Sequence, residues 1–277
     1  MTNSETICVV IPVYNCLNNC KSYEIISIAN TIQKCKDLYD ICLCVPEGLD
    51  ISEYSDFFGY TFTVQRYDRS YFSSIYTYNA LLKSVKFYSP FTRYTHLLLV
   101  QTDAYIFNAE FSTFMNTSYV GAPWHRHLIK RDQTGLYCGN GGYSLRHVAD
   151  ALHVLESDIR LFTADELLTE VAHSEFHKKY PAFIKPVFAA YYYFTQNSTL
   201  DSKNQLAFVY EDVFWSLVVP AVCPAFKVPD GQTALKFAFE TKPELCYELN
   251  GYQLPTGCHG FNKYNPEFWK HFIDFSL

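Results

Sequence analysis

The amino-acid sequence predicts an α/β protein with a mostly parallel central sheet flanked by helices. Two observations lead to this class. Apolar runs rich in β-branched residues alternate with helix-like segments through the first hundred residues. These runs are continuously apolar, as expected of strands that are buried on both faces. The 277 residues suffice for one large core, and no repeat or low-complexity linker divides them, so we expect one domain spanning 1–277.

The elements of the first half follow one another in a β-α-β-β-α-β order. Residues 7–13 form an apolar run that ends at Tyr14 and Asn15, and residues 96–100 form another that ends before Asp103. Together, the predicted strands are residues 7–13, 41–45, 62–65 and 96–100, and the predicted helices are residues 21–36 and 74–85. Helices between strands favour parallel pairing, because a parallel connection must cross over the sheet.

The second half is less regular. The predicted strands are residues 119–122 and 235–239, and the predicted helices are residues 147–156, 163–177, 210–219 and a last one from residue 266. A Gly/Pro-rich loop is expected over 251–260. Residues 178–208 are irregular and rich in Tyr, and loops that long are often functional, so we expect an acceptor-binding wall there.

Composition excludes several classes of protein. Hydrophobic residues make up 49% of the chain, which excludes a disordered protein. The net charge is −6 and no dense basic run is present, so we expect no nucleic-acid partner. The ten cysteines are scattered, several inside apolar runs, which favours buried free thiols in a reducing compartment. Without a signal-peptide pattern or a transmembrane segment, we expect a cytoplasmic protein, with peripheral membrane association left open.

Asp103 is the most informative residue of the chain. It follows the apolar run 96–100 and precedes a second one at 104–107. A carboxylate between two strand-like runs is costly to bury without a partner, and ligands bind at the carboxyl ends of strands in open α/β sheets. We therefore interpret Asp103 as a functional carboxylate at the rim of the sheet. The alternative is an aspartate that only caps the following turn.

Three further clusters carry candidate chemistry. Residues 139–142 place three glycines in four positions, which allows the backbone to approach a ligand closely or simply forms a tight turn. Glu211 and Asp212 precede an apolar helix, where they serve either as a proton acceptor or as helix-capping residues. His259 lies in a Gly-rich loop, as a ligand, an acid–base group or an unremarkable surface histidine.

The order of these clusters resembles that of GT-A-type glycosyltransferases, which use nucleotide-sugars and have a Rossmann-like fold. The strings QTDAYIF, YVGAPW, GNGGYSLR, EDVFW and PTGCHGF are more closely similar to a bacterial glycosyltransferase-like family catalogued as a domain of unknown function. This resemblance covers about residues 7–265. It implies a nucleotide-binding half at 1–103 and an acceptor and catalytic half at 104–277.

The resemblance also implies a metal site. Enzymes of this fold bind a divalent metal through a strand-end pair of aspartates, of which this chain keeps only Asp103. His259 matches the position that supplies a further ligand, and Gln101 would contact ribose or water. Mn²⁺ or Mg²⁺ would complete its shell with diphosphate oxygens and water. The donor would be a nucleotide-sugar, with UDP favoured.

The remaining roles follow the same resemblance. Asp212 would be the base of an inverting hexosyltransferase, with Glu211 as its substitute, and Gly141 and Gly142 would let the backbone run beside the sugar. The residues that would contact the base or ribose are Pro12, Tyr14, Asn15, Arg66 and Asp68. The acceptor would be a glycan or a lipid-linked glycan in surface polysaccharide synthesis. Alternatives are a retaining glycosyltransferase, a nucleotidyltransferase, and a non-catalytic sugar or nucleotide-sugar-binding module.

Overall fold

A six-stranded sheet forms the centre of the computed structural model, which describes residues 6–125, 136–157 and 210–276. The strands lie in the order β3-β2-β1-β4-β7-β6. Their bounds are β1 Ile7–Pro12, β2 Asp40–Pro46, β3 Thr63–Tyr67, β4 His96–Val100, β6 Tyr119–His125 and β7 Leu136–His147. The first four named pair in parallel, and β7 is antiparallel to both β4 and β6. The predicted α/β class with a mostly parallel sheet is confirmed.

Burial explains why the parallel strands are continuously apolar. All six residues of β1 and all five of β4 are buried. The helix Ser22–Cys35 packs Ile28, Ile32 and Cys35 into the same core. This helix connects β1 to β2, which pair in parallel, so it forms a crossover connection.

A small second sheet joins the two halves of the chain. It consists of β5 (Ala104–Ile106), β9 (Gly257–His259) and β8 (Ala238–Phe239), in the order β5-β9-β8. The antiparallel register of β5 and β9 sets Ala104 opposite His259. In addition, the backbone N–H of Gly260 donates to the carbonyl of Asp103 at 2.9 Å. These bonds bring residues more than 150 positions apart to one point.

The helices agree with most of the predicted ones. Their bounds are Ser22–Cys35, Ser52–Phe58, Ile75–Leu82, Val85–Tyr88, Val148–Glu156, Gly231–Phe237, Pro243–Leu249 and Pro266–Trp269, together with the successive segments Glu211–Val213, Phe214–Val218 (π-helical) and Val219–Val222. Two predictions were wrong. The strand expected at 235–239 is mostly the end of the helix Gly231–Phe237, with only Ala238–Phe239 extended, and the loop expected over 251–260 contains the strand β9. The helix Ser52–Phe58 was not predicted.

Some predictions fall on residues that the structure does not describe. The helix expected at 163–177 and the acceptor wall expected at 178–208 lie outside the described residues. The ten cysteines all lie within them, and all are free thiols, eight of them buried. Within the same residues, no helix is both long and apolar enough to cross a membrane.

Candidate functional site

A cavity of about 350 Å³ opens at the carboxyl ends of β1 and β4. These two strands are neighbours in the sheet, while the chain continues from β1 to β2 and β3 on the far side of β1. The strand order therefore reverses between β1 and β4. Such a switch point leaves a crevice because the connections on either side lead away from it, and open α/β sheets bind ligands there.

Four of the predicted ligand-binding residues line this cavity. Pro12 and Tyr14 come from the end of β1, and Gln101 and Asp103 come from the turn after β4. Tyr14 is 53% exposed, so its ring faces solvent at the cavity. Burial, followed by the negative charges of Glu24 and Asp103, raises the pKa of Tyr14, so its hydroxyl stays protonated. The two strand ends that sequence reasoning selected thus meet at one site.

Three other predicted contacts lie elsewhere among the described residues. The guanidinium of Arg66 donates to the carbonyl of Leu49 at 2.8 Å. The carboxylate of Asp68 accepts from the backbone N–H of Ser70 and caps a short helix. The carbonyl of Asn15 accepts the hydroxyl of Tyr54 at 2.7 Å. None of the three lines the cavity, so each is accounted for by a local structural bond.

His259 lies between two carboxylates. Its Nε2 is 3.0 Å from Asp103 Oδ1, and its Nδ1 is 3.0 Å from Glu240 Oε1. The amide oxygen of Gln101 is 3.2 Å from the same Nε2. Glu240 is in turn held by Asn140, whose Nδ2 donates to it at 2.6 Å. The predicted pair of Asp103 and His259 is therefore in direct contact, and Asn140 and Glu240 fix the orientation of the ring.

The two carboxylates determine the charge of His259. Burial alone would lower the pKa of its imidazole, but the charges and hydrogen bonds of Asp103 and Glu240 raise the pKa to about 10. The same contact lowers the pKa of Asp103, against the effect of burial. Without another cation, His259 is therefore an imidazolium at neutral pH.

The glycine-rich segment is part of β7 and not the turn that the sequence suggested. It lies within the strand because residues 143–147 pair with β4 and residues on both sides of the glycines pair with β6. A side chain at Gly142 would collide with the ring of His259, and one at Gly139 would collide with the ring of Trp124. The glycines make room for neighbouring side chains to approach the strand.

Glu211 lies beneath the site in a buried ion pair. Its Oε2 is 2.8 Å from Nη2 of Arg146. The side chain of Glu211 is 7% exposed and that of Arg146 is 1% exposed. Burial opposes the charge of Arg146, but Glu211 and the hydroxyls of Tyr88 and Tyr119 raise its pKa well above the ordinary value. A side chain at Gly141 would collide with Glu211, so Gly141 leaves space for this pair.

Asp212 has a different environment from its neighbour. It is half-buried, and one of its oxygens accepts the backbone N–H of Val213 at 2.8 Å. Burial, followed by the negative charge of Glu211 and more weakly that of Glu240, raises the pKa of Asp212 to about 6. Burial lowers the pKa of the nearby Lys83 to about 8. The negative charges of Glu211 and Asp212 partly oppose this lowering. Asp212 can thus take up a proton near neutral pH.

Sequence reasoning missed three polar residues of this region. Glu24 lines the cavity, is 8% exposed and accepts the Thr102 hydroxyl at 3.0 Å. Glu240 and Arg146 complete the two charged clusters. A signal existed only for Glu24, which lies three residues after Lys21 and closes a capping box at the start of its helix. Glu240 and Arg146 follow apolar segments, and their partners are distant in the chain.

The donors around Asp103 fit a divalent cation only if a ligand completes its shell. Among the described residues, no group of three or more His, Cys, Asp or Glu side chains forms a metal site by itself. Asp103, His259 Nε2 and the Gln101 amide oxygen supply one carboxylate, one imidazole and one carbonyl-type donor. Mg²⁺ and Mn²⁺ accept such donors and commonly take their remaining oxygens from substrate phosphates and water.

Two solved structures are similar to the chain at low sequence identity. No curated protein sequence matches the chain. A glycosyltransferase involved in glycosylation of the major capsid of PBCV-1 aligns at 12% identity and a TM-score of 0.41, covering 96% of this chain and 98% of that one. The galactosyltransferase LgtC, solved with donor and acceptor sugar analogues, aligns at 10% identity and a TM-score of 0.47, covering 91% and 86%. Alignments at this level assign no activity.

A family model covers most of the chain. It matches residues 61–259, a range that includes Asp103, Asp212 and His259 as well as Arg146, Glu211 and Glu240. The chain therefore belongs to the family described as "Protein of unknown function (DUF5672)".

Proposed function

We propose that this protein is a glycosyltransferase that moves a sugar from a nucleotide-sugar, with a UDP-sugar favoured, to a glycan or lipid-linked acceptor. The observation that carries the proposal is Asp103, which lines the switch-point cavity, and its direct contact with His259. A carboxylate and an imidazole that share one proton can exchange this proton for Mn²⁺ or Mg²⁺, and such a metal ion can hold a diphosphate. The resemblance of the sequence motifs to GT-A enzymes supports the same reading.

Donor binding would use both strand ends. The exposed ring of Tyr14 offers a stacking surface for the nucleobase, and the buried carboxylate of Glu24 offers an acceptor for a ribose hydroxyl. Asp103, His259 and Gln101 would hold the metal. When bound, the metal would stabilise negative charge on the departing diphosphate. Glu240 and Asn140 would act as positioning residues, because they fix the His259 ring from the side away from the cavity.

Asp212 would be the base. Its carboxylate takes the proton of an acceptor hydroxyl, whose oxygen forms a bond to the anomeric carbon. The bond from that carbon to the phosphate oxygen breaks, and its electron pair leaves with the nucleoside diphosphate. The raised pKa of Asp212 supports this role, since a base works best near the operating pH. Glu211 is less suited, because Arg146 already holds its carboxylate.

The first experiment is a thermal-shift screen of nucleoside diphosphates and sugar nucleotides with Mn²⁺, Mg²⁺ or EDTA. A ligand that binds the folded state raises the melting temperature by mass action, so no acceptor is needed. We expect a shift for one nucleotide that is lost in EDTA and in Asp103→Asn. Asp68→Asn is the matched control, since this carboxylate lies outside the cavity and should keep the shift. The absence of a shift with every nucleotide would contradict the proposal.

Turnover tests the base. With the donor identified in the screen, Asp212→Asn should lower release of the nucleoside diphosphate by roughly 10²–10⁴-fold and leave the thermal shift in place. Unchanged release would remove Asp212 from this role. The anomeric configuration of the product would distinguish an inverting from a retaining enzyme.

A non-catalytic nucleotide-sugar-binding module is the second candidate. The observation in its favour is that, among the described residues, no group of three or more His, Cys, Asp or Glu side chains could hold a metal ion. Such a module would show the same thermal shift, with neither transfer nor hydrolysis of the donor. Release of nucleoside diphosphate above the Asp212→Asn background excludes it.

A further inference from the structure

A pair of exposed tyrosine rings lies beside the candidate site. Tyr76 is 54% exposed and Tyr210 is 48% exposed. Their rings are nearly parallel, with an interplanar angle of 15° and centroids 6.5 Å apart. Single exposed apolar side chains are common on protein surfaces, whereas grouped ones mark binding surfaces. Large faces of both rings are therefore available to a ligand.

The chain fixes this pair between two parts of the proposed site. Tyr76 follows Ile75, which lines the cavity and is itself 54% exposed. Tyr210 precedes Asp212 by two residues. The two segments are joined because the backbone N–H of Glu211 donates to the buried side chain of Asn79, in the same helix as Tyr76. The tyrosine pair therefore lies one residue along the chain from the cavity-lining Ile75 and two residues from Asp212.

The neighbouring charges select the class of ligand. An aromatic face packs well against apolar C–H groups, and a pyranose ring has such a face with hydroxyls around its rim. A nucleobase would also stack, but it would carry phosphates toward the Asp212 carboxylate, whose pKa is already raised by burial and by neighbouring negative charge, so a second anion there is unfavourable. A neutral sugar has no such conflict, and its hydroxyls can donate to the Asp212 carboxylate.

We propose that Tyr76 and Tyr210 form the acceptor subsite, and that its ligand is a neutral hexopyranoside; this inference rests on the proposed function. The sugar stacks on the tyrosine rings and turns one hydroxyl toward Asp212. The subsite thus makes the acceptor a glycoside rather than a protein side chain. The tyrosines orient the acceptor and take no part in proton transfer.

Saturation-transfer-difference NMR tests the subsite without knowledge of the natural acceptor. The probes are methyl β-D-glucopyranoside, methyl β-D-galactopyranoside and methyl N-acetyl-β-D-glucosaminide, each added to the full chain. We expect saturation of the ring C–H protons of at least one probe. Tyr76→Ala and Tyr210→Ala should weaken its binding about tenfold or more, as expected for loss of a stacking partner.

Matched variants separate stacking from other effects. Tyr76→Phe should retain binding, since stacking needs the ring and not the hydroxyl. Tyr252→Ala should also retain it, because the ring of Tyr252 is 67% exposed but packs against Tyr247 and not against Tyr76 or Tyr210. Ring-¹³C tyrosine spectra give a second readout in the unaltered protein, in which the glycoside should shift the two resonances that disappear in Tyr76→Phe and Tyr210→Phe.

The outcomes separate this inference from the proposed function. Absence of saturation with all three glycosides, or equal saturation in both alanine variants, overturns the subsite. If the nucleotide thermal shift persists in that case, the transferase proposal stands and only the subsite is lost. Glycoside binding that depends on the tyrosines, without any nucleotide shift, supports sugar binding here and overturns the transferase.

Discussion

Two charged clusters lie on opposite sides of Gly141 and Gly142 and differ in what balances their carboxylates. At Gly142, Asp103 and Glu240 share the imidazolium of His259, whose proton can be exchanged. At Gly141, Glu211 is paired with Arg146, whose guanidinium stays charged at any physiological pH. In the first cluster, Asp103 lines the cavity. The second cluster is a buried ion pair that contributes to the stability of the fold. Asp212, beside it, can gain or lose a proton near neutral pH.

The largest expected effect on stability is loss of the permanent pair. Arg146→Met leaves the Glu211 carboxylate buried without its cation, which should lower the free energy of unfolding by about 3–5 kcal/mol. Urea denaturation measures this change. Arg93→Met is the matched control, because the pair of Arg93 and Asp40 is exposed and should contribute about 1 kcal/mol or less. Similar losses in both variants would show that Glu211 does not depend on Arg146.

The exchangeable cluster should instead make stability depend on pH. The pKa of His259 is about 10 in the folded protein and has an ordinary value of 6.5. Because the folded value is the higher one, the stabilisation is complete below about pH 6.5 and is lost as the pH rises through about 10. At about 1.4 kcal/mol per pKa unit, the loss amounts to several kcal/mol.

Comparing wild type with variants separates the pH-dependent stabilisation by His259 from that of other groups that titrate in the same pH range. In EDTA, the difference in unfolding free energy between wild type and His259→Gln should shrink from pH 7 to pH 10. Asp103→Asn, which removes one of the two carboxylates, should show a smaller pH-dependent loss than wild type. A difference that stays constant across this range would contradict the imidazolium assignment.

The smallest expected effect concerns Asp212, whose replacement should raise the free energy of unfolding instead of lowering it. Its pKa is raised from 3.8 to about 6, so the folded state is favoured at low pH and this advantage is lost as the pH rises through about 6. Asp212→Asn should therefore raise the free energy of unfolding at pH 7 by about 1–3 kcal/mol, because it removes a buried charge. Calorimetry at pH 4 and pH 7 measures the change.

Glu53→Gln is the control for Asp212. Both carboxylates lie in the first turn of a helix, but Glu53 is exposed. Its replacement should lower stability slightly, by about 0.3–1 kcal/mol, through loss of a favourable interaction with the helix dipole. A loss of stability in Asp212→Asn would mean that capping outweighs the cost of burying its charge.

Local patterns predicted the parallel part of the fold because its three central strands, β1, β2 and β4, are buried along nearly their whole length. The run 96–100 became β4 with the predicted bounds, and the strand end selected Asp103. The predicted likeness to a family of unknown function also agrees with the family match. The antiparallel part was harder. The glycines of β7 suggested a turn, since nothing local shows that the rings of His259 and Trp124 pack against them.

The sequence by itself determined the α/β class, the sheet edge that carries Asp103, and the presence of Asp212 and His259 as candidate groups. Only the tertiary structure decided their environments. Register in the small sheet brought His259 to Asp103, and a bond across 100 residues joined Asn140 to Glu240. Hydrophobic periodicity acts over a few residues, whereas the charge of a buried group depends on its neighbours in space. For that reason Glu211 and Asp212, adjacent in the chain, have different roles.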